Sequence, residues 1–381
     1  MKKFLSFMVA AVAMCPAVFA TEVAEAEAAA APQQSNLEKV IANMPKISGY
    51  LQTGWNYTSN KNASTSSFQA KRLRLIMDGN VGAKVAFRLQ IEAFNGIAGS
   101  TNGNGQKNIQ VMDAFATYTV SPAFKIRAGQ FYTPLGYENY DISPATLETV
   151  DFSNIVYRIA CRNPYEYNLV DYGRDLGVMF MGDLGDSGKG FKYFHYDVAL
   201  TNGSIPCKDD RNNSKDIYVS ATIRPFKHFN IKGTFNWGEY SSQALAGGTG
   251  VGAGKYSPMT RCVVGAWYND PNGLDVRAEY GFMNSKVNDV KVVEEQGAYA
   301  LVGYHAGKFL PIVRWDMYKD KMNKTNAGTN YNRILVGLTY QPISNVKVQL
   351  NYGHFMYDKK VKDAGGLENS EQIQLMGLFK F

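Results

Sequence analysis

From Ile47 onward, apolar and polar residues alternate with a period of two. Val85, Phe87, Leu89 and Ile91 alternate with Lys84, Ala86, Arg88, Gln90 and Glu92. Ile217, Val219, Ala221 and Ile223 alternate with Asp216, Tyr218, Ser220 and Thr222, and Phe229, Ile231, Phe235 and Trp237 with Asn230, Lys232, Thr234 and Asn236. The same holds for Leu274, Val276, Ala278 and Tyr280 against Asp275, Arg277 and Glu279, and for Val346, Val348, Leu350 and Tyr352 against Lys347, Gln349 and Asn351. This is the periodicity of half-buried strands. A soluble two-layer sandwich alternates too, so the connections decide. Tight turns are expected at Val81-Gly82, Ser121-Pro122, Pro225 to His228, Asn269 to Gly273, Ala306-Gly307 and Gln341 to Asn345. Between them fall long connections at Asn95 to Asn108, Tyr132 to Tyr172, Asn202 to Ser214, Gly238 to Ser257, Lys319 to Thr329 and Lys359 to Asn369. Short turns at one end and long loops at the other describe a transmembrane barrel. The expectation is an all-β, antiparallel transmembrane β-barrel of about sixteen strands over residues 47–381, a size that leaves an aqueous channel.

The last strand sharpens this. Ile373, Leu375, Phe379 and Phe381 share one face, while Gln372, Gln374 and Lys380 share the other. An amphipathic strand ending on a carboxy-terminal Phe resembles the closing strand of outer-membrane β-barrels, where the segment is also the assembly signal. An even strand count puts both chain ends in the periplasm. The N-terminus fits export: Lys2 and Lys3, a short apolar core from Phe4 to Ala13, and Ala17-Val18-Phe19-Ala20 read as a signal peptide over residues 1–20. Residues 21–46 are read as an Ala/Glu-rich linker followed by a short periplasmic amphipathic helix, with Ser35-Asn36-Leu37-Glu38 as its capping box.

Composition agrees. The chain is 45% hydrophobic, its mean hydropathy is −0.26, and no later apolar run is long enough for a spanning helix. There are 24 Tyr, 21 Phe and 36 Gly, which suits an exported β-rich protein. Losing Lys2 and Lys3 lowers the formal charge from +7 to about +5. A Cys161–Cys207 bridge requires that their loops meet, and Cys262 is read as a small buried or lipid-facing residue.

Parity assigns the channel wall. Six bases cluster on early strands: Arg72, Arg74, Lys84, Arg88, Lys125 and Arg127. Further lumen bases are Arg224, Lys232, Arg277, Arg314, Arg333 and Lys347, and the acids are Asp78, Glu92, Asp197, Asp216, Asp275, Glu279 and Asp316. Clustered positive charge in a low-dielectric channel concentrates anions, and Arg grips oxyanions with parallel donors. The alternative is that these bases pair with wall acids. The segment 132–172 is the candidate for an inward-folding constriction loop, and it carries Glu138, Asp141, Glu148, Asp151 and Glu166 against Arg158 and Arg162. Its net negative charge would oppose anion selectivity unless the acids face wall arginines across the pore. A third possibility is a loop that covers the outer surface. The four histidines, His195, His228, His305 and His354, fall in no hydrolase or metalloprotease motif. No enzyme activity, cofactor, metal site or nucleic-acid partner is expected.

Phe68 to Asp78 with Arg72-Leu73-Arg74, then Arg127-Ala128-Gly129-Gln130-Phe131-Tyr132-Thr133-Pro134-Leu135-Gly136-Tyr137-Glu138, then Gly173-Arg174-Asp175-Leu176-Gly177-Val178 form an ordered set. It resembles the phosphate-selective porin O and P family. That resemblance implies a sixteen-strand, trimeric, passive anion channel of the cell outer membrane, among lipid and lipopolysaccharide. The segment 132–172 lacks a lysine- or arginine-rich stretch, a departure that bears on phosphate. The expected function is a porin for small anions, phosphate among them. The alternative is a general or sugar-oligomer porin whose loop tyrosines, Tyr132, Tyr137, Tyr140, Tyr157, Tyr165 and Tyr167, stack on solute.

Overall fold

The computed structural model describes residues 44–59, 64–93, 109–161, 173–203, 207, 209–210, 213–241, 256–287, 290–322, 330–365 and 368–381. The expected leader, linker and helix lie outside the described residues. The chain divides at Pro45, and the unit that follows is the barrel.

Sixteen strands form one closed antiparallel sheet. They are β1 (Lys46–Ser59), β2 (Thr65–Val81), β3 (Val85–Glu92), β4 (Gln110–Ser121), β5 (Phe124–Tyr132), β6 (Arg174–Asp186), β7 (Lys192–Thr201) and β8 (Asp216–Phe226). The second half comprises β9 (Phe229–Ser241), β10 (Tyr256–Asn269), β11 (Leu274–Val287), β12 (Val290–Tyr304), β13 (Phe309–Asp320), β14 (Tyr331–Ile343), β15 (Val346–Tyr357) and β16 (Ser370–Lys380). Each strand pairs with its sequence neighbours, so the alternation of tight and long connections follows directly from the antiparallel order. Two connections break that pattern, and the first of them joins β1 to β2 at the long-loop end by residues 60–64. β11 and β12 are joined at the long-loop end by residues 288–289 alone.

The ring closes between the two ends of the barrel sequence. Tyr50 stands opposite Lys380, and Gly49 and Phe381 exchange both backbone hydrogen bonds at 3.0 Å. The final aromatic residue is therefore part of the seam, and β1 and β16 leave no open edge. The turn after β2 takes residues 82–84, with Gly82 at φ +64. Lys84 is consequently an exposed turn residue, and β3 starts at Val85.

The two faces of the wall are chemically distinct. Val219, Ile223, Ile231, Phe235, Val313, Val336 and Leu350 point outward and are exposed. Gln52, Arg72, Glu92, Asp113, Lys232, Asn236, Arg314 and Gln349 point inward and are buried. Outward aromatics gather near the short turns: Phe124 stacks on Phe180, Phe226 on Phe229, and Phe309 on Tyr340. Such a girdle marks a lipid–water boundary. Cys262 is half-exposed and separates the inward Arg261 and Val263, so it belongs to the outer face. Cys161 is buried, Cys207 is half-buried, and the two are not bridged to each other.

Two short helices were not legible in the sequence. They are α1 (Tyr137–Tyr140), in the connection after β5, and α2 (Lys359–Gly365), between β15 and β16. A π-helical turn, Ile155–Ala160, follows α1 in the same connection.

Candidate functional site

The site is made by the connection after β5 and the inward-facing side chains it touches. Its apolar residues come first. Leu135, Ile155 and Ile159 are fully buried in one cluster with Val263 (β10), Met283 (β11), Leu301 (β12), Ile312 (β13) and Leu335 (β14). A second cluster holds Tyr137, Leu147, Phe152 and Val156, and Tyr137 stacks on Trp267 of β10 at 3.8 Å. An apolar patch on the inner wall is thus covered by an apolar face of the connection, and this burial drives it against β10–β14.

Polar contacts then fix its path. Glu279 of β11 accepts from the backbone N–H of Tyr137 at 2.6 Å and of Glu138 at 3.0 Å, and Tyr299 donates to the same carboxylate at 2.9 Å. A wall carboxylate therefore caps the free N–H groups that open α1. Gly136, at φ +81, makes the bend that presents those groups. Further along, Lys347 and Gln349 of β15 donate to Leu147 O at 2.7 and 3.0 Å. Arg261 of β10 donates from Nη1 to Ile159 O and Ala160 O, both at 3.0 Å, and from Nη2 to the Tyr218 hydroxyl at 2.6 Å.

Each described acid of the connection meets a wall base. Arg277 of β11 makes a two-pronged bond to Glu148, both distances 2.7 Å. Lys232 of β9 reaches Asp141 at 2.6 Å. Arg314 of β13 lies 3.5 Å from Glu138, whose carboxylate also accepts from the Ser153 N–H at 2.8 Å. Asp151 pairs with Lys71 of β2 and accepts from Gln374 of β16 at 2.8 Å. Burial pushes the Glu138 carboxyl up to about 7 against the pull of Arg314. Burial also acts on Asp151, but Lys71 and Arg333 outweigh it and hold that carboxyl well below the usual carboxylate range. The acids thus act as attachment points, and wall bases that parity assigned to solute hold the connection in place.

The expected anion-binding residues divide accordingly. Arg72 is fully buried, bonded to Gln52 and directed at Val150 O at 3.4 Å. Arg74 is buried against Glu92 at 2.9 Å. Arg88, Lys125 and Arg127 instead line a cavity of about 540 Å3 with Asp78, Tyr132 and Tyr140. Arg88 forms a two-pronged bond to Asp78 at 2.7 and 3.0 Å, and Lys125 is 3.8 Å from Asp183. Arg127 donates to Thr117 Oγ1 at 3.1 Å and lies over the Phe115 ring at 4.2 Å. Among the described residues no carboxylate lies within 4.0 Å of it. Arg158 lies over Tyr318 at 5.0 Å, away from this cavity. Arg162 and Glu166 lie outside the described residues.

The sequence motifs around these residues decide the family. A model of the family described as phosphate-selective porin O and P matches residues 49–251, just over half of the chain. The chain belongs to that family. No curated protein sequence matches it. Among solved structures, the porin is similar to the anion-selective porin from Comamonas acidovorans, with a TM-score of 0.62, 12% identity, and coverage of 88% of this chain and 99% of that one. It is also similar to OmpF of Salmonella typhi, solved with daunomycin, with a TM-score of 0.61, 14% identity, and coverage of 88% and 97%. The trimer form of OmpT, an outer-membrane protein of Vibrio cholerae, aligns with a TM-score of 0.55, 12% identity, and coverage of 89% and 99%. Identities this low establish a shared fold alone. Family and fold together imply an outer-membrane location for the porin.

Three site residues escaped the sequence reading. Arg174 opens β6 and pairs with Asp113 at 2.5 Å beneath Tyr132. It sits in the Gly-Arg-Asp-Leu-Gly motif, so a signal for it existed. Arg261 has parity alone as its signal, on the same face of β10 as Val263. Lys71 had no signal of that kind. Gln52 faces Arg72 and Thr53 faces Ala70, so Lys71 is the extra residue of a β-bulge. The bulge lets it reach Asp151 despite the wrong parity.

Proposed function

We propose that this porin is a passive diffusion channel preferring small anions, phosphate among them. The observation that carries the reading is Arg127, a half-buried guanidinium on the cavity wall with a hydroxyl and a ring as neighbours and no carboxylate. Arg88 and Asp78 cancel as a pair, Asp113 on the same lining is held by Arg174, and Lys125 is only loosely engaged, so the cavity keeps a positive balance. In a channel walled by protein and lipid, such charge raises the local anion concentration. Oxyanions suit a guanidinium with free donor edges. Solute passes where the connection leaves room, along β2–β5, because the wall of β10–β14 is covered. The chain is further proposed to assemble as a homotrimer in lipid and lipopolysaccharide, as the fold's trimeric neighbour suggests.

Reversal potentials across planar bilayers in a salt gradient test the preference. An anion-selective sign is expected, and a cation-selective sign or absence of conductance overturns the reading. Added phosphate should reduce chloride current through the same channel, and unaltered current removes phosphate from the proposal. Tyr132 and Tyr140 line the same cavity, which favours neutral sugars as a second class of solute. Liposome swelling that is faster with sugars than with anions of equal size would favour that second reading.

A further inference from the structure

On the inner face, Asp316 of β13 stands directly opposite Arg333 of β14. Opposite charges at such a cross-strand position ordinarily meet. Here they do not. Asp316 Oδ2 accepts from Arg314 Nε–H at 2.9 Å, while its Oδ1 is buried with no partner among the described residues. Arg333 donates from Nη2 to Gln372 Oε1 at 2.9 Å and lies over the Phe355 ring at 4.7 Å, while its Nε is buried with no partner among the described residues. Asp316 is 1% exposed and Arg333 is 6% exposed. Both line a cavity of about 150 Å3 between β13–β16 and the connection after β5. Other polar groups of its lining are engaged: Tyr331 donates to Asn154 at 2.8 Å, and Asp151 is held by Lys71 and Gln374.

A buried donor on a cation and a buried acceptor on an anion each carry a desolvation penalty until something pairs with them. We propose that this cavity binds a small zwitterion, with its carboxylate on Arg333 Nε–H and its ammonium on Asp316 Oδ1. A simple anion would satisfy Arg333 alone, and a simple cation Asp316 alone. The volume corresponds to about five waters, which fits a solute the size of glycine or alanine. Phe152 and Phe355 on the lining disfavour longer polar side chains. The site is separate from the Arg127 cavity, and its existence does not depend on anion selectivity.

Calorimetric titration of the detergent-solubilised porin with glycine tests this, with acetate and methylamine as single-charge controls. Saturable glycine binding is expected, with acetate and methylamine each weaker by about tenfold or more, the loss of one charge-assisted bond. Arg333→Gln should weaken glycine binding by at least about tenfold. Gly353→Ala should do the same without touching a charge, because a Cβ there would lie 2.7 Å from Arg333 Nε. No saturable glycine binding to the unmodified porin would mean that waters complete these groups and would overturn the proposal. So would acetate binding as tightly as glycine, or glycine binding unchanged in both variants.

Discussion

At the residue scale, neighbours decide what each charge does. Arg127→Gln should leave the barrel intact, costing about 1 kcal/mol or less for the lost ring contact. It should reduce the anion-to-cation permeability ratio on the order of a fewfold, read as a reversal potential closer to zero. Arg72→Gln should instead disturb the packing of the connection, because that side chain is sealed beneath Val150. Glu138 supplies a pH prediction. Its carboxyl is raised from an ordinary 4.5 to about 7 by burial, so the docked state binds a proton that the undocked state releases between those values. Docking is therefore strongest below about 4.5 and weakens as pH rises to 7. Asp151 is depressed and loses its contribution only below its ordinary 3.8, outside that window. Current noise from loop fluctuation should thus grow from pH 4.5 to 7, and Glu138→Gln should flatten the profile. Parity sufficed to put Arg127 on the inner face of the wall. It could not show that Arg72 is enclosed, since Val150 lies 78 positions along the chain, whereas Arg74 meets Glu92 directly across on the next strand. Nor could it foresee Lys71, because one bulge shifts the pattern without leaving a mark in composition.

At the element scale, the connection between β5 and β6 behaves as an internal part of the wall. Its length was legible in the sequence, as was its excess of acids. Its attachments were not: Arg277 and Glu148 are 129 positions apart, and Gln349 and Leu147 are 202 apart. No local rule links residues so distant. Removing one member of a buried pair exposes the cost of the other. Arg277→Met should therefore destabilise docking by about 3–5 kcal/mol. The expected readout is larger and noisier single-channel conductance, with protease cleavage between residues 133 and 161 that the parent porin resists. Conductance equal to the parent's would show that Glu148 is held adequately by other means. α1 and the π-helical turn were missed because a four-residue and a six-residue element offer too little periodicity to register.

At the scale of the whole molecule, the barrel was legible because every level agreed: strand period, alternating connections and an amphipathic final strand. What parity did not capture is the inner face of β16 below Gln374, where Met376 and Leu378 are both fully buried. Reading that face as polar from Gln372, Gln374 and Lys380 overlooked them. The seam makes a further prediction. Deleting Phe381 removes both 3.0 Å backbone bonds to Gly49, so the yield of heat-modifiable, folded barrel on unheated gels should fall. The interior bonds of the connection carry a mechanical consequence as well. A hollow cylinder squeezed sideways by a bilayer tends to flatten into an oval. Here a single inner segment ties β2 to β9, β10, β11, β13, β15 and β16, and so acts as a cross-brace between opposite sides of the wall. Bore and wall are then one frame, and a bond cut on the β11 side should change the width of the gap beside β4.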